Sequence, residues 1–172
     1  MSVALVAGTP ADTTLSASVS TQTWSFNSGA AAPKMCLFVA ISYYCTTAQP
    51  ISGITYAGVP LVHVTGAPYN NSSYFADLWY LANPATGANN LVVSFSTQLS
   101  FTGMLGAAVF SGVNQASPVG PAVIAVGAIN IPIPVNGGGI DCTVDTGTGL
   151  LVEIGVPINP IPVSSPSARI GY

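Results

Sequence analysis

The chain has 172 residues, 49% of them hydrophobic, yet only two basic and five acidic side chains, a net charge of −3. Soluble domains usually carry about 25% charged residues; at 4% this chain lacks much of the repulsion that keeps monomers apart, and self-association is the expectation. Lys34 and Arg169 are its only cations, too few to neutralise a phosphate backbone, so direct nucleic-acid binding is excluded.

The length suits one domain with its own core, since domains run to about 100–200 residues. We read residues 1–158 as a single β-sandwich domain and 159–172 as a C-terminal extended arm. No Lys or Arg precedes Lys34, so the opening residues lack the basic start of a secretory signal and synthesis in the cytoplasm is expected. The apolar run 121–135 is broken by prolines and Asn130 and is shorter than the ~20 residues of a membrane helix, so no membrane partner is expected.

In chain order, the text reads as strand after strand. TLSASVSTQTWSF at 14–26 alternates small polar residues with Leu15, Ala17 and Val19, the period of a half-buried strand. MCLFVAISYY at 35–44 is apolar on both faces, as a central strand of a sandwich is. GITYAGVPLVHVTG at 53–66 predicts a hairpin turning at Ala57 and Gly58. DLWYLAN at 77–83 and NLVVSFS at 90–96 flank a Pro-Ala-Thr-Gly turn, with proline and glycine where a turn wants one fixed and one free φ. LGAAVFSGV at 105–113 and GLLVEIGVPI at 149–158 are the last strong strands.

Short strands separated by Gly, Pro and Asn predict an all-β fold, a single antiparallel β-sandwich of jelly-roll type with Pro-rich extended arms. The arms are the Pro-rich segments 117–136 and 156–172; proline removes ladder donors and confines them to edges. Their candidate interface residues are Pro132, Ile133, Pro134, Ile158, Pro160, Ile161, Pro162, Ile170 and Tyr172.

Four phrases, GITYAG at 53–58, DLWYL at 77–81, NPATGANNLVVSFS at 83–96 and AAVFSGVNQASPVG at 107–120, resemble a jelly-roll or β-sandwich module of bacterial and phage surface or virion proteins, among them phage decoration proteins. The resemblance covers the middle two-fifths of the chain. It implies a structural or adhesive module, and a sandwich edge left open where the family adds a further pair of strands, which a neighbouring subunit's strand is expected to complete.

Candidate sites are few. His63, the only histidine, has no nucleophile motif around it and reads as a structural strand residue. Asp141 and Asp145 near glycines lack the dense ligand spacing of a calcium loop. On one strand they would also stand about 13 Å apart, too far for a pair of catalytic carboxylates. No metal, cofactor or enzymatic activity is expected. Three cysteines, Cys36, Cys45 and Cys142, without zinc spacing are expected to be reduced. Trp79 reads as core and Trp24 as core or interface.

The leading expectation is a virion structural protein, a phage capsid decoration (cement) protein. It would form a homo-oligomer, a trimer by preference, and dock on the major capsid protein or other virion proteins through apolar and β-augmentation contacts. One alternative is a carbohydrate- or receptor-binding module of a tail or surface protein using Tyr69, Asn70, Asn71, Tyr74 and Phe75, since aromatics beside small amides make adaptable recognition loops. The other is a self-assembling extracellular filament subunit.

Overall fold

The computed structural model of the chain describes residues 3–44, 51–64, 69–71, 74–99, 102–119, 122–125, 139–142, 151–154 and 168–171. All regular elements among them are strands, in two main antiparallel sheets. The strands are β1 (Ala4–Leu5), β2 (Ala11–Leu15), β3 (Thr21–Asn27), β4 (Cys36–Tyr44), β5 (Ile51–Tyr56), β6 (Val59–Pro60), β7 (Val62–His63) and β8 (Tyr69–Asn71). They continue with β9 (Tyr74–Ala82), β10 (Ala88–Phe95), β11 (Gly103–Ser111), β12 (Ala122–Ala125), β13 (Gly139–Cys142), β14 (Leu151–Ile154) and β15 (Ala168–Gly171).

The larger sheet runs β1-β11-β4-β9-β7, with β2 also pairing with β11 and β8 with β9. The smaller runs β3-β10-β5-β6. The fold is thus the all-β sandwich expected from the strand pattern. Two further antiparallel pairs, β12 with β13 and β14 with β15, follow in the C-terminal third.

Strand β4 sits at the centre of the larger sheet, and its alternation explains why both of its faces are apolar. Leu37, Val39 and Ile41 join Leu105, Val109 and Trp79 against Phe26, Tyr56, Leu91 and Val93 of the smaller sheet, forming the main core. Cys36, Phe38 and Ala40 point the other way, into a second buried cluster with Ala76, Leu78, Ala108 and Phe110. A strand buried on both faces cannot alternate apolar and polar residues, hence the unbroken run in the sequence.

Several expected strands differ in extent. The segment read as one strand over 14–26 is two, because the chain leaves the larger sheet after Leu15, turns through Ser18 at φ 60° and enters the smaller sheet at Thr21. The Ser-Ala-Ser-Val rhythm persists through this crossing, which is why periodicity alone ran through it. The turn at Ala57 and Gly58 forms as expected, with φ 50° and 78°, the two positive values of a tight hairpin turn. Its second arm is short: β6 pairs with Thr55 and Tyr56 only, and Val62 and His63 then cross to the larger sheet beside β9.

The end of the sandwich near Gly87 is closed by polar groups. The fully buried Tyr56 hydroxyl donates to the Gly87 carbonyl at 2.9 Å, and Ser28 Oγ donates to the Ala85 carbonyl at 2.7 Å. Backbone bonds from Ser28 N–H to Gly87 and from Gly87 N–H to Gly29, both 3.0 Å, tie the same crossing.

Candidate functional site

Three side chains on the β7 side of the larger sheet form the one histidine-containing cluster of the fold. Along β9, period-two alternation sends Phe75, Asp77 and Trp79 to the core face, where Asp77 stands opposite Ile41 of β4. A carboxylate held among apolar neighbours needs a partner. It finds one in His63, which the β7–β9 register places opposite Trp79. His63 Nε2 lies 2.5 Å from Asp77 Oδ1, and the imidazole ring packs 4.5 Å from the Trp79 ring.

The pair is asymmetric in exposure: the His63 side chain is 31% accessible and Asp77 only 7%. Burial pushes the Asp77 carboxyl above its ordinary value, and the His63 hydrogen bond and charge pull it partly back. The Trp79 indole N–H is buried without a hydrogen-bond partner among the described residues. Chemically the cluster is a single histidine–carboxylate hydrogen bond beside an indole ring, on a face it shares with the apolar Phe75 and Ile41. Among the described residues, no group of three or more His, Cys, Asp or Glu side chains is placed to hold a metal ion.

The surface around this cluster is nearly uncharged. Residues 3–119 contain three formally charged side chains, Asp12, Lys34 and Asp77. Asp77 is buried, leaving Asp12 and Lys34 exposed with opposite signs. In the C-terminal strand pair, Glu153 stands in register with Arg169. Among the described residues, Val59 and Val62, 49% and 50% exposed, mark the crossing from β6 to β7 as the most open apolar point.

The residues expected from sequence to form a ligand loop fall on two neighbouring strands. Tyr69, Asn70 and Asn71 form β8, opposite Ala76, Phe75 and Tyr74 of β9. Phe75 is buried at 2% and stacks on Tyr43 with ring centroids 5.1 Å apart, so it belongs to the core. Of the expected interface residues, Ile170 lies in β15 opposite Val152, whereas Pro132, Ile133, Pro134, Ile158, Pro160, Ile161, Pro162 and Tyr172 lie outside the described residues, as does Asp145. Of the arm at 159–172, Ala168–Gly171 is described, as the strand paired with Leu151–Ile154.

Sequence reasoning missed Asp77. The available signal was its place two residues before Trp79 in an inward-facing alternation, which requires a partner for the carboxylate. No protein-family model, curated protein or solved structure matches the chain.

Proposed function

We propose that the chain is a virion structural protein, a capsid decoration subunit that holds to a shell through apolar and main-chain contacts. The observation that carries this reading is the neutral surface: over residues 3–119 only Asp12 and Lys34 are exposed charges. Such a surface docks without desolvating ions and depends little on salt. Each square ångström of apolar area covered contributes about 25 cal/mol, so a modest contact centred on Val59 and Val62, repeated over a lattice, adds up across the shell.

Self-association belongs to the same reading, because an exterior with so little charge offers no repulsion between copies. The resemblance of the 53–120 phrases to phage and bacterial surface modules supports a virion setting. A receptor-binding role on a tail would rest on β8 and its neighbour Tyr74, without Phe75.

Immunogold electron microscopy with antiserum to the chain, applied to phage particles from cells expressing it, tests the proposal. Regular label over the shell is the expected result. Label confined to tails would replace it with the receptor-binding reading, and particles without label would end both.

A further inference from the structure

Among the described residues, every edge of the two sheets but one is short, proline-bearing or covered. On the larger sheet, β1 and β7 are two residues long and β8 three. Strand β2 is covered by a side chain: the Gln22 carboxamide donates to Thr14 O at 2.6 Å and accepts from Ser16 N–H at 2.7 Å, standing where a neighbouring strand's peptide group would. On the smaller sheet, β6 is two residues and includes Pro60, and the Ile54 carbonyl beside it is taken by Leu61 N–H at 2.9 Å.

The exception is β3, seven residues long. It contains no charge, no proline and no register shift against β10, devices that commonly blunt an edge. Ser20 O accepts from Phe95 N–H and Ser28 N–H donates to Gly87 O, so the even-numbered residues bond inward to β10. By alternation Thr21, Thr23, Ser25 and Asn27 turn their N–H and C=O groups outward, where β3 has no strand partner among the described residues.

We propose that β3 pairs antiparallel with β3 of a second copy, about a two-fold axis at Trp24. This occupant fits because the strand is complementary to itself. A register centred on Trp24 sets Thr23 opposite Ser25 of the partner subunit and Thr21 opposite Asn27 of the partner subunit. Outward groups then meet only outward groups, and about eight main-chain hydrogen bonds form. The exposed side chains brought together are hydroxyls and amides, which pair well across strands, and no like charges meet. The two half-buried Trp24 rings, each packed against its own core, come together on the inner face, and the smaller sheets join into one. The contact is isologous: it makes a dimer, or an even-numbered assembly if a threefold contact exists elsewhere.

Light scattering of the full chain at tens of micromolar tests this. The expected mass is twice 17.3 kDa or an even multiple. Ser25→Pro, which removes an outward N–H and leaves the inward ladder intact, and Thr23→Lys, which adds charge to the edge, are each expected to halve it with unchanged circular dichroism. Amide exchange on the wild-type chain supplies a readout that needs no variant: Thr23 and Ser25 are expected to be protected when concentrated and to exchange fast when dilute. A wild-type monomer, a mass unchanged in folded variants, or protection independent of concentration would each overturn the proposal. None of these outcomes bears on whether the chain sits on a virion shell.

Discussion

His63 Nε2 and Asp77 Oδ1 lie 2.5 Å apart although the residues are 14 positions apart in sequence, one on a two-residue edge strand and one on the long strand beside it. The contact fastens the crossing from the smaller sheet to the larger. It holds the one buried carboxylate among the described residues in an apolar setting, so it has a direct consequence for stability.

Burial raises the Asp77 carboxyl above 3.8 in the folded chain, with His63 opposing part of the rise. The sign follows from linkage. A group whose folded value is raised contributes stability that is fully present below the unfolded value and is lost as pH rises through the folded value. Thermal midpoints are therefore expected to fall as pH climbs above the ordinary carboxylate range, and Asp77→Asn is expected to flatten that slope. His63→Ala, which leaves the carboxyl buried without its partner, is expected to cost roughly 1–3 kcal/mol. A wild-type midpoint that rises or stays level across the window would contradict this account.

Thr9 closes the gap between β1 and β2 along β11. Strand β1 pairs with Phe110 and Ser111, and β2 with Gly103 to Ala107. Between them, Thr9 Oγ1 accepts from Val109 N–H at 3.2 Å and donates to Val6 O at 2.8 Å, with Thr9 only 5% exposed. Thr9→Val keeps the shape and removes both bonds, so urea unfolding is expected to show a loss of about 1–3 kcal/mol. Thr9→Ser is expected to recover most of it. Equal stability of the valine variant would show that water replaces the hydroxyl.

Cys36 is fully buried in the second cluster, and burial pushes its thiol up to about 12. The thiolate is the reactive form, so alkylation of the native chain followed by peptide mass mapping is expected to leave Cys36 unmodified and to label it in denaturant. Prompt native labelling would mean that the outer face of β4 opens readily.

The legible parts of the fold were those set by local chemistry. The positive φ values at Ala57 and Gly58 were visible as a turn, and the two-sided burial of β4 as an unbroken apolar run. What stayed hidden depends on which strand sits beside which. The crossing at Ser18 keeps the alternation of the strands around it. His63 reads as an ordinary strand residue until the β7–β9 pairing brings it to Asp77. The bareness of β3 is likewise relational: Thr21–Asn27 is a plain polar strand in sequence, and it stands out only once the other edges are seen to be short, proline-bearing or covered by Gln22.

Two glycines that look alike in sequence are expected to respond oppositely to substitution. A Cβ on Gly103 would lie 2.6 Å from the Ser42 carbonyl oxygen and 2.9 Å from Tyr43 Cβ, whereas one on Gly53 meets nothing within 4 Å. The Ser42 carbonyl belongs to the backbone of the central strand β4 and cannot swing aside, so Gly103→Ala must displace β11 from β4. Overpacking of this kind costs about 1–3 kcal/mol. Gly53→Ala adds no clash and restricts the unfolded chain, so it is expected to be neutral or to gain about 0.5–1 kcal/mol. Urea titrations of the two variants side by side check the contrast. A Gly103→Ala chain as stable as wild type would mean that β11 sits further from β4 than this packing has it.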